Sequence, residues 1–206
     1  MPTTDLRAAV TARYTEVNGE HPMTAADDAY VSAQFTVLEE LCATRGRDAA
    51  EVRELMLAGR LPLPAYLRSD GAEMVPVDYF ALADRAGGVD ALRAWFTAHW
   101  ADPARGAEEW EAYLSGRYVC LVSVTPTTIQ RKDQLVAAIE TTLATPAPQS
   151  PEWLRDLHAL VDELHVLEPS FTQYDRLRFG GPTSRDRCIT AVRERYPRRS
   201  SSPSGV

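Results

Sequence analysis

The sequence predicts a mainly α-helical protein, a multi-helix globular domain with a short two-stranded ribbon near residues 61–76. Three observations support this fold class. Apolar residues recur at helical spacing over most of the chain. Glycine, proline and Ser/Thr/Asp residues interrupt that pattern where helices would begin and end. The composition, 45% hydrophobic and 25% charged over 206 residues, is that of a globular protein with a sizeable core.

The N-terminal helices are defined by their apolar stripes and their starting residues. The first covers residues 4–17. We expect one long second helix from Thr24 to Arg45, and a short third helix that starts at Asp48. Residues 61–76, LPLPAYLRSDGAEMVP, follow. Their early prolines exclude a helix, and the Ser-Asp-Gly turn joins two short extended pieces.

Most helices predicted in the second half of the chain follow a glycine or proline break. Residues 108–124 are ambiguous between helix and strand, and the helical spacing of their aromatic residues favours a helix. Residues 169–183 are expected to be irregular, with Ser184 as the N-cap of the last helix. The remaining helices are predicted at residues 78–86, at residues 90–100, at residues 126–143, from Pro151 onward, and up to about Tyr196.

The chain is expected to form two subdomains that share a core. Residues 1–86 would form a helical subdomain with a helix-turn-helix-like hairpin and the ribbon. Residues 87–197 would form a second helical subdomain ending in an Arg-rich segment. Residues 198–206, rich in serine, are predicted to be a disordered tail.

Charge and cysteine content restrict the possible environments and partners. The net charge is −7, which argues against broad nucleic-acid binding. The three cysteines are far apart and form no paired motif, so a reducing, cytoplasmic location is expected. No apolar run is long enough to span a bilayer, so no membrane partner is expected.

Residues 37–80 resemble the winged helix-turn-helix of excisionase and MerR-type proteins, most closely in the stretch EVRELMLAGRLPLP. The resemblance implies a reading helix in the major groove and a ribbon that acts as a wing. Acidic residues around the reading helix weigh against DNA binding, and a hairpin used for packing or protein contacts is the alternative. Arginines that would meet phosphates are Arg45, Arg47, Arg53, Arg60 and Arg68.

The segment YDRLRFGGPTSRDR, residues 174–187, contains the parts of an anion site. Gly180 and Gly181 would let the backbone approach a ligand, and a helix starting after Ser184 would direct N–H groups toward it. Three guanidinium groups would add charge-assisted hydrogen bonds. The alternative is that these arginines pair with the acidic body of the protein. The candidate anion-binding arginines are Arg176, Arg178 and Arg185.

Tyr174 and Asp175 precede these arginines and are the candidate catalytic residues. A phenol or carboxyl beside a bound anion can carry a proton to or from it. If the protein is an enzyme, it would act by positioning and charge stabilisation, without a cofactor.

Metal and nucleotide sites are not predicted. His158, Asp162 and His165 lie on one strip of a helix, but a metal site would need a further ligand from elsewhere. Walker, GxSxG, HExxH and dinucleotide-binding motifs are absent from the sequence, so no cofactor is expected.

Three phrases, GRLPLPAYLRSDGAEMVP, EWEAYLSGRYVCL and YDRLRFGGPTSRDR, resemble an actinobacterial family of unknown function linked to natural-product biosynthesis. The resemblance implies a small protein of secondary metabolism, and it brings no catalytic residues with it. Together with the Arg-rich segment, it predicts binding of an anionic intermediate or of a pathway protein. The competing interpretation is a DNA-binding regulator or interaction module built on the helix-turn-helix-like segment.

Overall fold

A computed structural model describes residues 3–198 and confirms a mainly α-helical, multi-helix fold. None of its helices is both long enough and apolar enough to cross a membrane. The α-helices in chain order are α1 Thr3–Asn18, α2 Ala25–Gln34, α3 Leu38–Arg45, α4 Ala49–Leu57, α5 Ala81–Ala86, α6 Val89–Thr97, α7 Pro103–Leu114, α8 Pro126–Ala144, α9 Pro151–Leu167, α10 Gln173–Phe179 and α11 Ala191–Arg195.

Side-chain caps fix several helix starts at the predicted positions. Thr24 caps α2 through a reciprocal pair of hydrogen bonds with Asp27, because its Oγ1 accepts from the Asp27 amide at 3.2 Å and its own amide donates to Asp27 Oδ2 at 2.8 Å. Thr125 and Ser150 cap α8 and α9, and a proline follows each at the first helical position. The predicted starts of these three helices are confirmed.

The predicted ribbon is confirmed, and a third strand completes a small antiparallel sheet. The strands are β1 Thr36–Val37, β2 Tyr66–Leu67 and β3 Glu73–Val75, in the order β1-β3-β2. The prediction of one long helix from Thr24 to Arg45 is wrong, because the chain leaves α2 after Gln34 and pairs with β3 before α3 begins. The consecutive β-branched residues Thr36 and Val37 favour this extended backbone.

Two further segments differ from their predictions. The helix expected over residues 108–124 ends at Leu114 in α7, and a 3₁₀ turn, Arg117–Cys120, follows it. Gly116 adopts φ +71° between them, which ends the regular helix. The segment expected to be irregular after residue 169 contains α10, which Thr172 caps.

The last helix begins one residue earlier than the predicted cap implies. Residues 184–195 are helical, and they include the π-helical turn Asp186–Thr190 before α11. Thr183 is the capping residue, since its Oγ1 accepts from the Asp186 amide at 3.2 Å and Asp186 Oδ2 accepts from the Thr183 amide at 3.0 Å. Ser184 as the N-cap is therefore wrong.

The main hydrophobic core contains residues from both predicted subdomains. Val10 and Leu38 pack in the same cluster as Phe96, Trp110 and Ile129, and all five are almost fully buried. A second cluster joins α8, α9 and the last helix around Leu157 and Ile189. The division between residues 86 and 87 stays a prediction, and residues 199–206 of the predicted tail lie outside the described part of the chain.

Candidate functional site: an apolar cleft

A cleft with a volume of about 260 Å³ opens between the N-terminal and C-terminal parts of the molecule. Four chain segments and the single residue Pro169 form its walls. The segments are residues 30–35 at the end of α2, residues 62–65 before β2, residues 76–82 leading into α5, and residues 113–124 around the 3₁₀ turn. Most of the side chains that face it are aliphatic, aromatic or proline, so the lining is mainly apolar.

Backbone hydrogen bonds hold these irregular segments in place. The Leu63 amide donates to the Leu114 carbonyl at 2.8 Å, which fixes the proline-containing wall against the end of α7. The Val122 amide donates to the Leu167 carbonyl at 2.9 Å, which ties the other wall to the end of α9. Loops fixed in this way can present a preformed binding site.

Two valine side chains at the edge of the cleft remain largely in contact with solvent. Val77 is 73% exposed and Val122 is 66% exposed, although both are large apolar residues. Exposed apolar surface that adjoins a concave apolar lining is typical of a ligand-binding region. Val166, at 74%, is similarly exposed but does not line the cleft.

A few polar groups face this apolar lining. Tyr79 Oη donates to the Pro62 carbonyl at 2.6 Å, and Tyr30 Oη donates to the Ser170 carbonyl at 2.8 Å, so both hydroxyls are engaged. Tyr113 is 6% exposed, and within residues 3–198 its hydroxyl has no hydrogen-bond partner. Burial and the negative charge of Asp78 raise the pKa of the Tyr113 hydroxyl, which keeps the phenol protonated.

Arg178, one of the predicted anion-binding residues, makes hydrogen bonds to the walls of the cleft. Its guanidinium donates to the Ala65 carbonyl at 2.8 Å, to the Gly116 carbonyl at 3.0 Å and to Asn18 Oδ1 at 2.6 Å. Ala65 and Gly116 both line the cleft. Arg178 therefore stabilises the walls of the cleft, and its N–H groups donate to acceptors within the protein.

The other two predicted anion-binding arginines also have partners within the chain. Arg176 forms a two-pronged ion pair with Asp186, with its Nη2 2.7 Å from Oδ1 and its Nε 3.2 Å from Oδ2. This pair lowers the pKa of Asp186 to about 2. Arg185 donates to the Glu168 carbonyl at 2.7 Å and contacts His165 Nδ1 at 2.8 Å.

The remaining predicted anion-binding residues lie in the turn and helix start beside these arginines. Ser184 donates to the buried carboxylate of Glu168. Gly180 and Gly181 form the turn after α10, where a Cβ on either residue would meet nothing within 4 Å. No close approach of the backbone to another group therefore requires these two glycines.

Tyr174 and Asp175, the predicted catalytic residues, are buried and hydrogen-bonded within the core. Tyr174 is 3% exposed, and its hydroxyl lies 3.1 Å from that of Tyr14. Asp175 is 1% exposed and accepts from Tyr66 Oη at 2.9 Å and from the Thr172 amide at 2.8 Å. These contacts give both residues a structural role in joining α10 to the strands and to α1.

The arginines of the helix-turn-helix-like segment make ion pairs inside the molecule. Arg53 was expected to meet phosphate, but it is 2% exposed and binds the fully buried Glu73, with Nε and Oε2 2.9 Å apart. The expectation is wrong for Arg53, because its guanidinium is enclosed between α4 and β3. The other four pair with acids near them: Arg45 and Arg47 with Asp84, Arg60 with Asp90, and Arg68 with Asp70.

On the strip of α9 formed by His158, Asp162 and His165, two of the three side chains contact arginines. Asp162 pairs with Arg193 at 3.1 Å, and His165 contacts Arg185. His158 is 8% exposed, and burial with the nearby charge of Arg198 lowers its pKa.

The fold and the cleft define a mainly α-helical protein with an apolar cavity walled by helix ends and fixed loops. Residues 92–197, slightly more than half of the chain, match DUF6058, a family of unknown function, and the chain belongs to that family. The matched region supplies the 3₁₀ wall of the cleft, whereas the walls before α5 precede it. No curated protein and no solved structure matches the chain.

The cleft was not predicted from the sequence. Its walls come from segments that are far apart in the chain, and the motifs recognised in them, such as the ribbon of residues 61–76, did not indicate a shared cavity. The one indication in the sequence was the ambiguous stretch 108–124, where the helical spacing and the β-branched residues near its end disagree. Such disagreement between local patterns is common at functional sites.

Proposed function

We propose that this protein binds a small, mainly apolar organic molecule in the cleft beside the 3₁₀ turn. The observation that carries the proposal is the apolar cavity of about 260 Å³, with largely exposed valines at its edge. Its volume is close to the lower end of the range for small-molecule pockets, about 300–1,000 Å³. Binding of an apolar ligand in such a cleft is favourable, because it removes apolar surface of both partners from water.

The proposal concerns binding and includes no reaction. Hydrogen bonds between the walls support a site that is already formed before a ligand arrives, which lowers the ordering cost of binding. Arg178 contributes to this preformed state by holding the carbonyls of Ala65 and Gly116 together.

Binding can be tested with a library of small aromatic and aliphatic compounds, first by thermal shift and then by calorimetry. Val122→Asn should weaken any compound that occupies the cleft by about fivefold, because the ligand loses an apolar contact worth about 1 kcal/mol. Val166→Asn is the matched control, since Val166 is similarly exposed and does not line the cleft.

Two results would contradict ligand binding in the cleft. Equal weakening by Val122→Asn and Val166→Asn, or no change in either, would place the bound compound outside the cleft. A library that produces no shift in melting temperature would also contradict a preformed apolar site.

A role in secondary metabolism is proposed on the sequence resemblance alone. The anionic intermediate of that proposal would bind at the Arg-rich segment, where the side chain of Arg176 is 46% exposed despite its ion pair with Asp186. Phosphate, sulfate and carboxylates should then raise the melting temperature, and Arg176→Ala should remove the effect. Stabilisation that is unchanged in Arg176→Ala would contradict this second candidate.

The DNA-binding alternative is a further proposal, and the arginine ion pairs of its segment give it little support. It predicts DNA binding that weakens steeply as salt increases. A mobility-shift assay at low salt is sufficient, because a chain without DNA affinity under those conditions is not a DNA-binding regulator.

A further inference from the structure

We infer that the ligand of the cleft carries a protonated amine, and that this amine binds the carboxylate of Asp78. The inference rests on the proposed binding function and adds the chemical class of the ligand. It follows from the charges that line the cleft, from the partners of Asp78, and from the hydroxyl of Tyr113.

The charge carried by the described residues that line the cleft is negative. Among the lining residues that the structure describes, Asp78 is the single residue with an acidic or basic side chain. A lone carboxylate beside an apolar, weakly polarisable wall favours a cation and repels an anion. The net charge of the whole chain, −7, acts in the same direction.

The Asp78 carboxylate is not neutralised by the rest of the described chain. Ser123 Oγ donates to Asp78 Oδ2 at 3.3 Å. Within residues 3–198, no arginine, lysine or histidine nitrogen lies within 4.0 Å of either carboxylate oxygen. Two other carboxylates that follow it in the chain, Asp84 and Asp90, each have an arginine partner. Asp78 therefore retains the capacity to bind a cation from solution.

Tyr113 provides a second polar group for the same ligand. Its side chain is more than nine-tenths buried, and its hydroxyl lacks a protein partner within the described residues. The charge of Asp78 contributes to the raised pKa of this hydroxyl, so the two groups interact electrostatically. An ammonium group donates up to three hydrogen bonds, so it can use more than one acceptor in a binding site.

Aromatic rings in the lining suit a cation as well as apolar carbon. Tyr30 and Tyr118 both face the cleft. The face of an aromatic ring attracts an ammonium group within about 6 Å, an interaction worth about 0.5–2 kcal/mol. A ligand with an apolar skeleton and one amine therefore satisfies the lining better than a neutral or anionic analogue.

The test uses three probes that share an indole skeleton: tryptamine, its alcohol analogue tryptophol, and indole-3-acetate. Calorimetry on the full chain should give an affinity for tryptamine about fivefold or more above that for tryptophol, with indole-3-acetate weakest. Asp78→Asn should remove the difference between amine and alcohol. Asp90→Asn, which removes an exposed carboxylate away from the cleft, should preserve it.

The outcomes separate this inference from the proposed function. Binding of tryptophol that equals that of tryptamine, or an amine preference that persists in Asp78→Asn, overturns the inference while the cleft still binds a ligand. Failure of all three probes to bind contradicts both. Circular dichroism of Asp78→Asn identical to that of the parent chain confirms that a changed preference does not arise from misfolding.

Discussion

At the scale of single residues, the role of an arginine side chain depends on the groups that surround it in the folded protein. The same guanidinium can bind a ligand or satisfy buried carbonyls, and composition does not distinguish the two. Arg178 donates to three acceptors, which belong to α1, to the segment before β2 and to Gly116 in the turn after α7. Its role is to position the cleft walls.

Replacing Arg178 with alanine is expected to lower the free energy of unfolding by about 2–4 kcal/mol, because buried acceptors lose charge-assisted hydrogen bonds. Arg187→Ala should change it by less than about 1 kcal/mol, since Arg187 makes an exposed ion pair with Glu140 at 3.4 Å. Urea denaturation measures both values. Equal losses in the two variants would contradict the positioning role of Arg178.

The residues predicted for an anion site could be selected from the sequence, but their partners could not. Tyr174 and Asp175 were chosen because they adjoin the arginines, whereas the fold buries them against Tyr14 and Tyr66. These partners lie more than a hundred residues away in the chain. Only the tertiary structure determines such contacts.

At the scale of secondary-structure elements, local chemistry was sufficient where a cap or a proline marked a boundary. Thr125 and Ser150 fixed the starts of α8 and α9 in the sequence as in the structure. The helix α10 was missed although Thr172 and Asp175 form a capping pair at its start. The strand β1 was missed because the residues around Thr36 also fit a helical apolar pattern, and only pairing with β3 decides between the two.

The junction between α7 and the 3₁₀ turn gives a sharp test at this scale. Gly116 has φ +71°, and an added Cβ would lie 2.6 Å from the Pro64 carbonyl oxygen. Gly116→Ala should therefore destabilise the protein by about 2 kcal/mol or more and displace a wall of the cleft. Gly46→Ala is the matched control, because Gly46 has φ +62° with nothing within 4 Å, so only the backbone cost of about 1–2 kcal/mol applies.

Thermal or urea unfolding of the two glycine variants checks this prediction. A Gly116→Ala variant no less stable than Gly46→Ala would mean that the wall moves freely away from the added methyl group. The walls of the cleft would then be more deformable than the hydrogen bonds at Leu63 and Val122 indicate.

At the scale of the whole molecule, the main core crosses the boundary between the predicted subdomains. Val10 and Leu38 from one side pack with Phe96 and Trp110 from the other. We expect the chain to unfold in a single cooperative transition, since neither part keeps a complete core without the other. The cleft lies between the two parts, so it forms only when both parts are folded.

The distribution of tryptophan makes cooperative unfolding easy to measure. All four tryptophans lie in residues 87–197, so their fluorescence reports on the second predicted subdomain, whereas far-ultraviolet circular dichroism reports on every helix. The two urea transitions should coincide. A circular-dichroism transition that begins at lower urea than the fluorescence transition would reveal an independently unfolding N-terminal part.

A nuclear magnetic resonance titration of the ¹⁵N-labelled protein with tryptamine and tryptophol tests directly whether the cleft binds a small apolar molecule. We predict saturable shifts concentrated in the amides of residues 77–82 and 113–124, with residues that do not line the cleft, such as those of α11, unaffected. Shifts that cluster elsewhere, or amides that stay unchanged at every ligand concentration, would contradict this prediction.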